Sequence, residues 1–165
     1  MTSLGEAFKG KSFQTFKELY YFTALTAIDD DAFSGCTRLT TLRLPKSVKK
    51  IGDRAFKGCT ALSQLSLPTN VTAIGQEAFS GCKLLADLVL PEELTAIEAR
   101  TFEQCAALKA IELPIAVTSI GEAAFSGCTK LASVTVKTYQ PQAIALGSGV
   151  LAYASRLFLF FFHCV

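Results

Sequence analysis

The sequence predicts an α/β solenoid, a stack of repeated turns of chain that each contribute a short strand. Three columns of residues predict this fold, because each column recurs every 23 positions in five successive copies. The columns are Ile28, Ile51, Ile74, Ile97 and Ile120; Phe33, Phe56, Phe79, Phe102 and Phe125; and Cys36, Cys59, Cys82, Cys105 and Cys128. A fixed period of this length is typical of stacked arrays, not of a single globular core. Since such stacks present long surfaces, binding is favoured over catalysis.

The strand of each copy follows from the pattern L-x-x-L-x-L, formed in the first copy by Leu39, Leu42 and Leu44. The spacing of two predicts a strand whose leucines face the core. Pro45 ends the strand because it has no N–H to extend a ladder. The equivalent inward pairs are Leu65/Leu67, Leu88/Leu90, Ile111/Leu113 and Val134/Val136.

The remainder of a typical copy runs between two glycines, Gly52 and Gly58 in the second copy, and Asp29 replaces the first of them in the first copy. This segment is long enough for about one helical turn, with Gly58 as a C-terminal cap. Short helices or turns are therefore predicted on the side of the stack opposite the strands. The fourth copy departs most, with Glu98 and Gln104 in place of the two glycines.

The composition of the chain excludes some classes of protein. The chain has 165 residues, enough for one domain, and it is 50% hydrophobic and 18% charged, which excludes a disordered chain. A net charge of +2 gives no support for nucleic-acid binding. The N-terminal segment MTSLGEAFKGKSF has no apolar core after a positive region, so we do not expect a secretory signal peptide in it.

The cysteines are predicted to be buried thiols. Adjacent rungs of a sheet lie about 4.8 Å apart, but stacked cysteines have parallel Cβ vectors, and a disulfide needs converging ones. No C-x-x-C pair is present, so structural zinc is not expected.

The periodicity divides the chain into three parts: a degenerate N-terminal repeat or cap over 1–27, five repeats over 28–137, and a degenerate C-terminal repeat over 138–165. In the first part, a step back of one full period from the leucine pattern places Phe16, Leu19 and Tyr21 on strand positions.

The C-terminal part is strongly apolar and has three interpretations: a terminal rung, a membrane or interface anchor, or a sequence artefact. Arg156 counts against a membrane span, so a membrane is an unlikely partner. Aligned at an offset of 26, Leu146 matches Ile120, and Leu157, Phe160 and Phe162 take the inward positions. Leu159 and Phe161 then point outward and form an edge for self-association.

The pattern L-x-x-L-x-L-P-x-x-[VL]-x-x-I-G-x-x-A-F-x-G-C resembles the BspA-like leucine-rich repeats of the Treponema pallidum type, over about residues 28–137. The resemblance implies a right-handed superhelix with a parallel β-sheet on its concave face and short helices or turns on its convex face. It also implies a bacterial surface or secreted protein that binds host extracellular matrix or cell-surface proteins. It supplies no catalytic residue, cofactor or metal ligand.

The candidate protein-binding residues are the outward positions of the sheet, which vary between rungs while the inward positions barely change. They are Glu18, Tyr20, Thr41, Arg43, Gln64, Ser66, Asp87, Val89, Glu112 and Thr135, with Ala110 and Ser133 on the same face. Drift on an unconstrained surface produces the same variation. Tyr20 and Arg43 are the first to test, because aromatic and arginine side chains dominate binding hot spots.

Charge is distributed unevenly along the array. Residues 38–57 carry seven basic side chains against one acidic, whereas residues 77–112 carry seven acidic against three basic. The basic region is a candidate for holding an acidic protein or glycan, and the alternative is a solvated surface. An enzyme is the least favoured class, because the only histidine is His163 and the Asp29–Asp31 cluster suits a turn. The alternative to a binding module is a structural spacer or self-assembly segment of a longer repeat protein.

Overall fold

The computed structural model describes residues 2–138, 144–152 and 158–163. Within these ranges the chain is a parallel β-solenoid of about five turns with little helix. Its strands are β1 (Ala27–Ile28), β2 (Thr41–Arg43), β3 (Lys50–Ile51), β4 (Gln64–Ser66), β5 (Ala73–Ile74), β6 (Ala96–Ile97), β7 (Ala110–Leu113), β8 (Ser119–Ile120), β9 (Ser133–Thr138), β10 (Ala145–Leu146) and β11 (Phe158–His163).

The strands form two columns, and every pairing among them is parallel. In one column, β1 pairs with β3 and β3 with β5, so that Ile28 lies beside Ile51 and Ile51 beside Ile74. In the other, which we call the sheet column, β2 pairs with β4 and Leu42 lies beside Leu65. These partners are equivalent residues of successive copies, so the repeat predicted from the sequence is also the register of the ladder.

The phenylalanines form a single stack through the core. Neighbouring rings from Phe33 to Phe125 have centroids 5.3, 5.5, 5.6 and 5.5 Å apart and are nearly parallel. All five side chains are fully buried. Each repeat therefore fills its interior by contact with the repeat before and after it, which is why one copy cannot bury its apolar face alone.

The predicted thiols lie in the same core. The five described cysteines are free and buried. Each Sγ from Cys59 onward donates to the carbonyl oxygen of a phenylalanine from the preceding repeat, as Cys59 does to Phe33 at 3.0 Å. Burial raises the pKa of the Cys82 and Cys128 thiols to about 12. Cys164 lies outside the described residues.

Turns, and no α-helix, occupy the side of the described stack opposite the sheet column, which we call the turn side. The prediction of short helices there is not confirmed. Bonds of the i to i+3 kind occur, such as Cys36 N to Phe33 O at 3.1 Å. A helix does not propagate because Asp31, Arg54 and their equivalents have positive φ, near 55°. Amides of the segment donate to the next repeat instead, as Phe33 N does to Ala55 O at 2.8 Å.

The N-terminal segment is a better copy than the sequence alignment predicts. The Phe8 ring stacks on the Phe33 ring, with their centroids 5.3 Å apart. Cys36 Sγ donates to the carbonyl oxygen of Phe8 at 2.9 Å, as the equivalent thiols do in the other repeats. The sequence signal for this copy is the run E-A-F-K-G at positions 6–10. A fixed step of 23 residues misses it, because Phe8 lies two positions farther from Phe33 than one period. The step also misplaced the next element: Lys17–Tyr21 is a 3-10 helix, and Tyr21 is 76% exposed instead of inward.

Both strand columns are interrupted at the entrance to the fourth copy. In the described chain no ladder joins β5 to β6, and residues 87–90 belong to no strand, although Leu88 and Leu90 are buried as predicted. Glu98 explains the gap between β5 and β6. At the equivalent Gly75 and Gly121, an added Cβ would lie 2.3 to 2.4 Å from atoms of the preceding repeat. Glu98 carries such a Cβ, which keeps the two repeats apart in this strand column, although Glu77 N still donates to Ala99 O at 3.0 Å on the turn side.

Replacing Gly121 with alanine is expected to open an equivalent gap between β6 and β8. The new Cβ would lie 2.4 Å from the backbone nitrogen of Ala99, which cannot rotate away. The free energy of unfolding should fall by about 1–3 kcal/mol, the usual cost of overpacking. Urea denaturation measures the loss, with Ser119→Ala in β8 as a control that adds no atom to the same strand. An unchanged midpoint for Gly121→Ala would contradict this explanation.

The C-terminal rung is present, but its strand is shifted by one position from the predicted alignment. Leu146 pairs with Ile120, which confirms the offset of 26 at β10. In β11, however, Leu159 pairs with Val134 and Phe161 with Val136, so the prediction that these two occupy the positions of Ser133 and Thr135 is wrong. The run F-L-F-F-F is apolar at every position, so its pattern could not fix the register. Leu157 lies outside the described residues, and self-association at this edge stays a prediction.

Candidate functional site

The sheet face carries the predicted outward residues. On the regular strands the alternation is clear: in β2 Thr41 and Arg43 are exposed on either side of buried Leu42, and in β7 Ala110 and Glu112 flank buried Ile111. Asp87 and Val89 are exposed even though their segment forms no strand, with Val89 at 87%. Ser133 and Thr135 are partly buried.

Two of the predicted residues, Tyr20 and Arg43, come into direct contact. Tyr20 lies on the 3-10 helix, which packs beside β2. The Arg43 guanidinium carbon lies 4.0 Å from the centre of the Tyr20 ring, and its Nη2 donates to the Tyr20 hydroxyl at 3.4 Å. Tyr21 contacts the same ring edge-on at 5.6 Å. A guanidinium over an aromatic face is attracted by the ring quadrupole, so this contact favours one orientation of the Arg43 side chain.

A depression of about 440 Å³ opens beside this pair, at the carboxyl ends of β2 and β4. Pro45, predicted to end the first strand, and Pro68, its equivalent one period later, follow β2 and β4, and the chain turns away from the sheet at this edge. Polar side chains line it together with the apolar residues Leu44, Leu67 and Pro68. The polar members are Tyr20, Arg43, Lys46, Ser66, Thr69 and Asn70. Sequence reasoning counted Lys46 only as part of the basic region and missed Thr69 and Asn70, because these residues follow the strands and no periodic signal marks them.

The remaining predicted residues are not gathered at this depression. Thr41 and Gln64 meet across β2 and β4, where the Thr41 hydroxyl donates to the Gln64 side-chain oxygen at 3.4 Å. Val89 and Glu112 line a separate depression of about 70 Å³ at the interrupted level. Glu18 is exposed on the 3-10 helix. The face is therefore an extended surface, and the depression beside Tyr20 and Arg43 lies near its N-terminal end.

On the turn side, some basic residues of the 38–57 region form ion pairs with acidic residues of neighbouring repeats. Arg54 binds Asp31 through two nitrogens, at 3.1 and 2.8 Å, and Lys57 pairs with Glu77. Arg43 and Lys46 form no ion pair within the described part of the chain. The basic character predicted for residues 38–57 is thus partly neutralised on the turn side and persists beside the depression.

The ion pair between Asp31 and Arg54 makes the stability of the array depend on pH in the acidic range. Hydrogen bonds from Arg54 lower the pKa of Asp31, against the opposing effect of its burial and with a further contribution from Lys9. The stabilisation is therefore present above the ordinary carboxyl pKa of 3.8 and is lost as pH falls below it. Asp31→Asn should destabilise the array at pH 7 and flatten its stability profile below about pH 4. Urea midpoints across this range measure the effect, and parallel profiles for both proteins would contradict it.

No group of three or more His, Cys, Asp or Glu side chains in the described ranges is arranged to hold a metal ion. None of the helices described has the length and apolar character needed to cross a bilayer.

The repeat and its geometry agree with comparisons to known proteins. The model of the BspA type leucine rich repeat region matches residues 5–140 in six copies. The chain belongs to this family. Arrays of this family and fold are typically non-enzymatic, and they indicate a protein-interaction module. No curated protein sequence matches the chain.

Solved structures of bacterial proteins also match the fold of this chain. A leucine rich cell surface protein from Faecalibacterium prausnitzii is 32% identical with a TM-score of 0.74, and the match covers 82% of this chain and 35% of that protein. The T. pallidum leucine rich repeat protein is 33% identical with a TM-score of 0.72, over 81% of this chain and 72% of that one. The pneumococcal vaccine antigen PcpA, at 24% identity and a TM-score of 0.62 over 78% of this chain and 32% of its own, shares the fold.

Proposed function

We propose that this array is a non-enzymatic binding module of a bacterial surface or secreted protein, and that its sheet face engages a protein of the host surface or extracellular matrix. The observation that carries the proposal is the fixed, partly recessed Tyr20–Arg43 pair on a face whose outward residues differ in every repeat. Tyrosine and arginine are the side chains most often found at the energetic centre of protein interfaces.

The described geometry favours binding over chemistry. The recess beside Tyr20 and Arg43 is open and holds no cysteine, histidine or carboxylate among the residues that line it. The described thiols are buried in the core, where they donate to backbone carbonyls. The similar F. prausnitzii protein is described as a cell surface protein, which supports the proposed location.

Capture of purified matrix proteins by the immobilised chain tests the proposal. The double variant Gln64→Lys, Asp87→Lys alters the sheet face, and Gln76→Lys, Glu122→Lys makes the same change of charge on the turn side. Glu122 pairs with Arg100 at the exposed surface, 3.0 Å away, so its loss should cost little and this control should fold. We expect the sheet-face variant to lose capture and the turn-side variant to keep it. Equal capture by both variants would remove the sheet face as the binding surface.

A second candidate function is self-assembly within a longer repeat protein. In its favour, β11 is paired on one side only in the described chain, with β9, and its sequence F-L-F-F-F-H is apolar over its first five positions. An apolar strand at the edge of a sheet is a template for another chain. Light scattering tests this candidate: dimers that dissociate on Phe160→Lys would support it, and a monomer at high concentration would reject it.

A further inference from the structure

We propose that the depression beside β2 and β4 binds the carboxylates of an acidic peptide segment. This inference rests on the proposed function and specifies the chemistry of the partner protein at one place on the sheet face. It follows from three properties of the depression: a held guanidinium, a second cation, and the absence of an acidic side chain among its lining residues.

The guanidinium of Arg43 is oriented for this role. Its central carbon lies over the Tyr20 ring, 4.0 Å from the ring centre, and its N–H donors lie in the plane of the guanidinium group. One of those nitrogens contacts the tyrosine hydroxyl at 3.4 Å, and no described carboxylate binds the others. A planar, fixed fork of N–H donors matches a carboxylate in the bidentate geometry that arginine favours.

Lys46 adds a second positive charge to the same recess, and it has no ion-pair partner in the described residues. Ser66, Thr69 and Asn70, from β4 and the turn that follows it, bring hydroxyl and amide donors to the same recess. Two unpaired cations and three neutral donors, with no lining acid, form a site complementary to negative charge. Its volume of about 440 Å³ falls within the usual range of ligand sites, roughly 300–1,000 Å³.

An acidic peptide fits this recess better than an acidic glycan. Tyr20 is the only aromatic residue lining it, and one face of its ring is covered by Arg43. A sugar ring gains affinity by stacking on a free aromatic face, and the face of Tyr20 under Arg43 is not available for this. The apolar members Leu44, Leu67 and Pro68 suit the methylene stems of glutamate side chains, which leave their carboxylates free to reach the cations.

Nuclear magnetic resonance titration of the isotopically labelled full chain tests the proposal. The probe is a tetraglutamate peptide blocked at both ends. We expect concentration-dependent shifts centred on the amides of Arg43, Lys46 and Asn70. Arg43→Gln should weaken binding roughly tenfold or more, the effect of losing a charge-assisted hydrogen bond. Arg38→Gln, which removes one charge from an exposed arginine outside the depression, should leave the affinity unchanged.

Two further probes identify the source of the carboxylate. A tetraglutamine peptide with a free carboxyl terminus separates a terminal carboxylate from side-chain carboxylates, and shifts at the same amides by either peptide support the proposal. Binding by a uronic-acid disaccharide with none by the peptides would overturn it in favour of a glycan. Equal weakening by Arg43→Gln and Arg38→Gln would overturn it as non-specific attraction. If Gln64→Lys, Asp87→Lys abolishes capture of a matrix protein and tetraglutamate shifts nothing, this inference fails while the proposed function stands.

Discussion

Replacing Phe79 with alanine should lower the free energy of unfolding by about 3–5 kcal/mol, the largest effect we expect from a single change. Phe79 is fully buried, and its ring stacks between Phe56 and Phe102 at 5.5 and 5.6 Å. Removing the ring takes away contacts with two neighbouring repeats at once. It leaves a cavity that the stack cannot close, because the backbone bonds on either side fix the spacing. Urea denaturation followed by circular dichroism measures the loss.

Two companion variants keep the Phe79 result interpretable. Phe79→Leu retains most of the apolar volume and should cost clearly less, so it reports on the ring even if the alanine variant fails to fold. Val89→Ala also truncates an apolar side chain, but one that is 87% exposed, and its effect should stay within about 0.5 kcal/mol. Similar losses for Phe79→Ala and Val89→Ala would show that the ring is not part of a packed spine.

The Cys82 and Cys128 thiols should resist alkylation by about a thousandfold or more relative to the unfolded chain at pH 8, because only an accessible thiolate reacts. Burial raises the pKa of Cys82 and Cys128 to about 12, so almost none of either thiol is ionised at that pH, and reagent access is blocked as well. Mass spectrometry of a Cys164→Ser variant after brief iodoacetamide treatment counts the modified thiols. Labelling of the native protein at the rate seen in urea would contradict their burial.

The same thiols make stability fall in alkali. Their pKa is higher in the folded state than in the unfolded state, so their contribution is complete below the ordinary value of 9.0 and is lost as pH rises towards about 12. Cys82→Ala should reduce this dependence. It should leave unchanged the fall in stability on the acidic side, which belongs to carboxylates such as Asp31.

The features that recur in every repeat were predictable from the sequence. The phenylalanine and cysteine columns became continuous stacks, because a buried position has the same neighbours in every turn and tolerates the same side chain, whereas the isoleucine ladder breaks between β5 and β6. The Phe33 to Phe125 spine and the thiol column are the clearest cases. The outward position of Arg43 followed from strand alternation in the same way.

Prediction from the sequence failed where the spacing changes. Phe8 lies farther from Phe33 than one period. The pairing of β10 follows the predicted alignment, whereas the pairing of β11 is shifted from it by one position. A fixed step cannot follow such changes, and the uniformly apolar β11 gave no alternation to correct them. The helical turn was not confirmed for a different reason. Amides of each turn segment, such as Phe33 N, donate to the next repeat, and the sequence of one repeat does not contain this tertiary effect.

The binding site was only half visible in the sequence. Tyr20 and Arg43 were selected by residue type and outward position, and the structure joins them. Their contact arises because the chain before β1 forms a 3-10 helix beside β2, which the repeat pattern misread as a strand. Lys46 and Asn70 belong to the turns that follow the strands, where residue identity varies freely between copies, so only the folded chain places them together.

Hydrogen exchange at the amide of Phe79 tests most directly whether the array is one continuous stack. This amide donates to Thr101 O at 2.9 Å and so bridges the level at which both strand columns are interrupted. If the buried spine joins all repeats into one unit, it should be as protected as the amides of Phe56 and Phe102, which donate to Ala78 O and Ala124 O. Exchange at Phe79 that is orders of magnitude faster than at those two would instead show two separate stacks meeting at Glu98.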